Sequence, residues 1–186
     1  MEPPHSPAVD AQLKKMMPED VPPIALFRTF VRNLPMTEAM GTWGAYELSR
    51  KLSLTLRDRE IVIDRTCARC GCEYEWGVHV AFFAERAGLD ADQVGSLTAG
   101  SAGDGCWKDE RDRLLIRAVD ALHDTGDIDD PLWAALSAEL SEANLLDLLF
   151  LCGWYHAISF VARVARVPLE PDAPTFHSMG SSPTVG

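Results

Sequence analysis

Three residues of chemically useful types, Cys72, Glu75 and His79, follow one another at helical spacing. Positions i, i+3 and i+7 share one face of a helix, so these side chains are predicted to lie one above another. A carboxylate one turn from an imidazole can orient the ring and raise its basicity, and the imidazole can activate a nearby thiol. The pattern therefore predicts an acid–base site or a thiol site. Spacing alone favours the simpler interpretation of a Glu–His pair on a solvated helix face with Cys72 as a core residue, because this spacing is common by chance.

The five cysteines are unevenly distributed, since Cys67, Cys70 and Cys72 fall within six residues. The Cys67–Cys70 spacing occurs in redox and zinc sites, but a second such pair, or a histidine pair at zinc-finger distance, is missing. The two thiols lie near the end of a predicted helix, where the helix dipole disfavours a thiolate. We expect a structural thiol pair, no metal and no cofactor. Cys106 and Cys152 are isolated, and Cys152 is expected in the core.

Composition restricts the class of protein. The chain has 186 residues, a net charge of -11 and 47% hydrophobic residues, which fits one globular domain. An acidic chain without a basic run is a poor ligand for nucleic acid or anionic membranes. No apolar run is expected to reach the roughly 18 residues of a membrane-spanning helix, and no export signal is visible at the start. These features predict a cytoplasmic protein with neither nucleic-acid nor membrane partners, and the small-molecule substrate expected for it follows from the site residues and the family resemblance described below.

Hydrophobic periodicity predicts an all-α domain of about seven to eight helices over residues 24–167. Residues 1–23 are rich in proline and are expected to form an irregular arm, and residues 168–186 a loose tail. The predicted helices span residues 24–32, 36–51, 56–70, 72–87, 91–97, 107–123, 130–140 and 141–167. The last is apolar around most of its circumference, which favours a central helix or a contact between copies of the chain.

The residues also carry a family resemblance, strongest over residues 57–97. The motifs that carry it are Arg59-Glu60-Ile61-Val62-Ile63, Gly71-Cys72-Glu73-Tyr74-Glu75-Trp76, His79 and Ala87-Gly88-Leu89, followed by Arg117-Ala118-Val119-Asp120 and residues 130–136. With these motifs the chain resembles the carboxymuconolactone decarboxylase family, which includes the alkylhydroperoxidase D-like proteins. The resemblance implies an all-helical fold, a homo-oligomer (dimer, trimer or hexamer), and a pocket at the helix that begins near Cys72.

The two branches of that family imply different chemistry. In the peroxidase branch a glutamate, two cysteines and a histidine form the site, and Glu60, Cys72 and His79 match three of these positions. The second cysteine, which attacks the peroxide, is replaced here by Glu75. In the decarboxylase branch a glutamate stands four residues before the histidine, as Glu75 and His79 do. The resemblance there implies decarboxylation of a lactone acid, with the histidine as proton donor and no cofactor.

The candidate catalytic residues are therefore His79, Glu75, Glu60 and Cys72, with Glu60 expected to support the pair. Tyr74, Trp76 and Arg86 are the candidate substrate-binding residues. Arg86 lies seven residues after His79 and is the expected anchor for an anionic substrate, although a surface arginine has the same pattern. Arg57, Arg59, Arg65 and Arg69 are also near in sequence, and their directions are open. His156 is expected to be a core or interface residue, and His5, His123 and His177 carry no signal.

Three hypotheses follow. The first is a decarboxylase-like lyase that acts on a small organic acid or lactone through the Glu75–His79 pair. The second is a hydroperoxide-reducing oxidoreductase with peroxiredoxin-type activity, in which Cys72 attacks the peroxide and Cys67 or Cys70 resolves the product. The third is a non-catalytic, oligomeric small-molecule-binding protein.

Overall fold

The computed structural model describes residues 5–18 and 21–179. Within them the chain is helical and has no β-strand, so the prediction of an all-α fold is confirmed. Short 3-10 helices lie at Val31–Asn33 and Phe176–Met179. The α-helices are α1 (Pro7–Met16), α2 (Ala25–Phe30), α3 (Leu34–Glu47), α4 (Leu56–Arg69), α5 (Glu73–Phe83), α6 (Ala91–Ala99), α7 (Glu110–Thr125), α8 (Asp130–Glu139) and α9 (Glu142–Val164).

Helix α4 is the centre of the fold and packs against α5, α6, α7 and α9. Thr55 and Asp58 close its first turn as a capping box, in which each side chain accepts from the other residue's backbone N–H. Every residue from 58 to 67 is buried, including charged ones. Gly71 then adopts a positive φ of 63°, which turns the chain directly into α5. The order of α4, turn and α5 thus brings the two motif-bearing helices side by side.

Ion pairs hold α7 against α4. Arg65 is buried and makes two hydrogen bonds to the carboxylate of Asp120, at 2.7 and 2.9 Å. Its third nitrogen donates to backbone carbonyls at the end of α6, including Leu97 at 3.0 Å. Arg111 reaches back from α7 to both oxygens of Asp58. These bidentate contacts fix the register of α4 and α7.

Helix α9 begins at the Ser141 cap and contributes both to the core and to the surface. Leu148, Leu151 and Tyr155 are buried, whereas the opposite side exposes apolar residues such as Phe150 and Phe160. By length and composition alone α9 could cross a membrane, which corrects the expectation that no apolar run is long enough. Half of its most apolar stretch is buried in the fold, as in the core helix of a soluble protein, so this is weak evidence for a membrane span.

The irregular arm predicted for residues 1–23 contains a helix. Ser6 caps α1 by accepting from the backbone N–H of Val9, and Pro7 occupies the first turn, where its missing N–H costs nothing. Val9 and Leu13 pack in a small cluster with Val31. The prediction treats the prolines of this segment as helix breakers, whereas Pro7 begins the helix. Residues 1–4 and 19–20 of the predicted arm lie outside the described residues.

The predicted loose tail is docked on α5 as far as the structure describes it. Tyr74 donates to Glu170 at 2.6 Å and accepts from the backbone N–H of Leu26 at 3.0 Å. The ring of Phe176 lies 5.0 Å from that of Trp76. The prediction of a loose tail rests on serine and proline content, which does not indicate that Glu170 and Phe176 dock the tail. Residues 180–186 lie outside the described part of the chain.

We expect Arg65→Met to lower the free energy of unfolding by about 3 kcal/mol, because it leaves buried carbonyls and the Asp120 carboxylate without their donor. Arg69→Met is the matched control, because Arg69 also pairs with Asp120 but is 32% exposed. The control should cost at most about 1 kcal/mol. Urea denaturation of both variants measures the difference, and equal losses would contradict the proposed role of Arg65.

Candidate active site

The centre of the site is a chain of buried charges that joins α4 to α5. The Nδ1 atom of His79 lies 2.8 Å from Oε2 of Glu60, and the other oxygen of Glu60 accepts from Arg59 at 2.6 Å. Glu60 is completely buried, and His79 and Arg59 are nearly so. The fold therefore places an ionised carboxylate between two cationic groups, which is the arrangement that a buried charge requires.

The other imidazole nitrogen faces Tyr155 and Glu75. Nε2 of His79 lies 3.0 Å from the hydroxyl oxygen of Tyr155 on α9 and 3.6 Å from Oε1 of Glu75, one helical turn earlier. The ring of Phe83 lies 5.3 Å from the imidazole, and the Arg59 guanidinium lies over the Phe83 ring, 4.9 Å from its centroid. The two carboxylates thus approach opposite nitrogens of one ring, so both cannot join His79 around a single metal ion.

These carboxylates decide the protonation state of His79. Burial of the ring favours its neutral form, but the charges and hydrogen bonds of Glu60 and Glu75 outweigh burial and raise the pKa of His79 to about 10. At neutral pH the ring is therefore an imidazolium whose Nε2–H points toward Tyr155 and Glu75. An imidazolium in this position has an Nε2 proton that it could donate to a bound molecule, as a general acid does.

Further buried acids surround the charged chain. Burial, followed by the charge of Glu60, raises the pKa of Asp64 well above its usual value, and neither Asp64 oxygen has a hydrogen-bond partner among the described residues. Burial also raises the pKa of Glu47 to about 7, although the Arg59 charge opposes it. These groups hold protons at pH values where exposed carboxylates are ionised.

The thiols lie close to this centre but are in the wrong state for redox chemistry. Cys67 and Cys72 are fully buried, and burial is the main cause that raises the pKa of both. Glu75 adds to this effect at Cys67 through its charge. All five cysteines are free thiols. Because the thiolate is the attacking species, this environment suppresses the nucleophile that a thiol peroxidase needs.

The three candidate substrate-binding residues lie in two different places in the structure. Tyr74 and Trp76 point toward the C-terminal tail and α2, and their contacts there are structural. Their place on a helix face one residue either side of Glu75 explains this, because such neighbours diverge by about 100°. Arg86 lies beyond the end of α5, exposed, with its guanidinium 5.4 Å from the Phe83 ring. It is therefore beside the aromatic ring that covers His79.

Sequence reasoning missed Tyr155 as a site residue and left Arg59 undecided among four arginines. In the structure Arg57 and Arg65 form ion pairs with aspartates of α7. Of the four arginines, Arg59 is the one that pairs with Glu60. Tyr155 is 76 residues from His79 along the chain, and no local spacing connects the two. The only available signal was a hydroxyl on a predicted buried helix, since a buried tyrosine hydroxyl needs a partner.

Comparison with known proteins agrees with the motifs. Residues 36–121 match the model of the carboxymuconolactone decarboxylase family, and this match includes Glu60, Cys72, Glu75 and His79. The matched region is less than half of the 186-residue chain, so the match shows a similarity to this family, in agreement with the sequence motifs. Searches of curated proteins and of solved structures gave no significant match. Tyr155 lies beyond the matched region.

We expect the His79 ring to stay protonated at pH 8, because its pKa of about 10 lies well above the ordinary histidine value of about 6.5. Glu60→Gln should lower the pKa of His79 toward or below that value, because it removes the closest negative charge. Ring ¹⁵N chemical shifts measured against pH test this. A neutral His79 at pH 8 in the wild-type protein would contradict the assignment.

The same shift has a consequence for stability. Because the folded-state pKa of His79 is about 10 and the unfolded value is about 6.5, its ion pairs stabilise the protein fully below pH 6.5. That contribution is lost as the pH rises through 10, and Glu60→Gln should reduce this part of the decline.

Proposed function

We propose that the protein is a carboxymuconolactone decarboxylase-like enzyme that removes CO₂ from a small organic acid or lactone, with His79 as the proton donor. The observation that carries the proposal is the position of the His79 ring, with Nδ1 2.8 Å from Glu60 and Nε2 3.6 Å from Glu75. The match of residues 36–121 to the family model supports the same reaction class.

The reaction balances with one proton. The bond between the substrate carboxylate and its neighbouring carbon breaks, CO₂ leaves, and the electron pair moves into an adjacent lactone or ketone carbonyl. The resulting enolate carbon takes the proton from Nε2 of His79. Water then returns one proton to the imidazole, so the net reaction consumes one proton from solvent for each CO₂ released.

Each residue around His79 has a role in that transfer. Glu60 accepts from Nδ1 and keeps the ring oriented, and Arg59 compensates the charge of Glu60. Glu75 raises the pKa of the ring and stands at the nitrogen that loses its proton, where it can pass on the replacement. The hydroxyl of Tyr155, 3.0 Å from the same nitrogen, can hydrogen-bond the oxygen on which negative charge develops.

Arg86 is the proposed anchor for the substrate's second anionic group. Its side chain is exposed and lies over Phe83, whose ring is adjacent to His79. No ion pair with an acidic residue occupies Arg86 among the described residues, so its charge remains available to a ligand. Since the whole chain carries a charge of -11, such a local cation is needed to attract an anionic substrate.

The other two hypotheses have less support. A thiol peroxidase needs a thiolate, and burial raises the pKa of Cys67, Cys70 and Cys72. A binding protein without turnover explains the enclosed charges less well, because a buried ion pair costs desolvation energy that an apolar pocket would avoid.

The free thiols fit a reducing compartment, and we propose the cytoplasm, which cell fractionation tests.

Decarboxylation of a panel of lactone acids in D₂O tests the proposal. The wild-type protein should release CO₂ and place one deuterium on the carbon that lost the carboxylate. His79→Gln should lower kcat by at least about 100-fold, because it removes the proton donor. Cys72→Ser is the matched control and should retain activity.

Arg86→Gln should raise KM more than it lowers kcat, whereas substitution of Arg117, an exposed arginine of α7, by Gln should change neither.

Three outcomes would contradict this function. Full activity of His79→Gln would remove the proposed acid. Reduction of organic hydroperoxides that is lost in Cys72→Ser would establish the thiol mechanism. Absence of turnover, together with a rise in Tm on adding lactone acids, would establish a binding protein.

We also propose that the protein is a homo-oligomer in which the exposed face of α9 contacts another copy. Phe150, Phe160 and Val164 on that face are 60%, 63% and 83% exposed, and Trp43 of α3 extends it. Sedimentation equilibrium should give a multiple of the 20.5 kDa chain mass. The Phe150→Glu/Phe160→Glu double variant should be monomeric, whereas Phe82→Glu, 53% exposed on α5, should not. A monomeric wild-type protein would refute the contact.

A further inference from the structure

A second cluster of reactive side chains lies where α4, α7 and α9 meet. Cys70 ends α4, His123 is in the last turn of α7, and His156 is in the middle of α9. The Sγ atom of Cys70 is 4.0 Å from Nδ1 of His123, which is 3.1 Å from Nε2 of His156. All three atoms lie within 4.8 Å of one another. The residues are 53 and 33 positions apart along the chain, so the fold alone assembles them.

The separations fit one small metal ion. Zinc binds imidazole nitrogen at about 2.0–2.1 Å and thiolate sulfur at about 2.3 Å in tetrahedral geometry. Two nitrogens on such an ion are then about 3.3 Å apart, and a nitrogen and a sulfur about 3.6 Å apart. The observed distances of 3.1 and 4.0 Å differ from these by a few tenths of an ångström, which side-chain rotation can supply.

The hydrogen bonds prepare the ligands. Nδ1 of His156 donates to the backbone carbonyl of Cys152 at 2.8 Å, so in the neutral ring Nε2 carries a lone pair and faces the cluster. Metal-bound histidines are typically oriented by such a bond from the second nitrogen.

The surroundings suit a cation with one open coordination position. Cys70 is buried, but both histidines are only partly buried, so water can reach the cluster. Arg163 donates to the Cys70 carbonyl at 2.6 Å, which places a guanidinium at the C-terminal end of α4. The charge of Arg69 near His123 is paired with Asp120 and Asp124. One thiolate and two imidazoles select zinc over calcium or magnesium, which prefer oxygen ligands.

We propose that Cys70, His123 and His156 form a zinc-binding site with water as the fourth ligand. Zinc replaces the thiol proton of Cys70, so binding releases that proton to solvent and leaves a zinc–thiolate bond. The site shares no ligand with the Glu60–His79 centre. It joins the C-terminal end of α4 to α7 and α9.

Titration of the metal-free, full-length protein with zinc chloride tests the site. Wild-type protein should bind one zinc ion per chain, gain Tm, and release about one proton for each ion, measured by calorimetry in two buffers of different ionisation enthalpy. Cobalt(II) should give a thiolate-to-metal charge-transfer band. His156→Ala and Cys70→Ser should each lower zinc affinity at least about 100-fold, and Cys70→Ser should abolish the band.

The controls separate this site from other thiols and imidazoles. Cys106→Ser and His177→Gln remove the same groups elsewhere and should leave zinc affinity unchanged. Cys72→Ser tests whether the Cys67, Cys70 and Cys72 group binds the metal instead. His123→Ala should weaken binding without unfolding the protein, because its ring is only partly buried. Failure of the wild-type protein to bind zinc, or binding that survives both His156→Ala and Cys70→Ser, would overturn the proposal.

Discussion

The buried ion chain from Arg59 through Glu60 to His79 is the constraint on which the arrangement of the helices depends. Removing these charges from water costs several kcal/mol for each ion, and only close, opposite partners offset it. Glu60 can meet its two partners only if α5 returns alongside α4, which the positive φ of Gly71 permits. The turn after α4 is therefore needed for the His79–Glu60 ion pair as well as for packing of the hydrophobic core.

The same burial has opposite effects on the thiols and on the imidazole. A thiol without a cationic partner loses its ionised form when it is buried, as Cys67 does. His79 keeps its charge because Glu60 and Glu75 compensate it. A peroxidatic cysteine at position 75 would remove one of those two carboxylates and place a thiol at the imidazole. Glu75 in that position therefore favours proton transfer, and the chemistry of the site depends on this one residue.

The local part of this site was predictable from the sequence, and the long-range part was not. Cys72, Glu75 and His79 lie on one short segment, so helical spacing and the family motif identified them, and Glu60 followed from the motif. The helices themselves followed from periodicity and caps. Tyr155 and the direction of Arg59 depend on how α9 and α4 pack, which spacing does not encode. Residues 7–16 were misjudged because a proline begins α1, and the tail because two side chains dock it.

Helices α4 and α9 connect the two clusters of reactive groups. Glu60 and Cys70 lie ten residues apart on α4, while Tyr155 and His156 are neighbours on α9 that face different sides of the helix. Tyr155 contacts His79 in the core, and His156 contacts His123 near the surface. A metal ion that joins Cys70 to His156 would resist any separation of α4 from α9. Because the distance between Tyr155 and His79 depends on that packing, such an ion would also restrain the geometry of the proton donor.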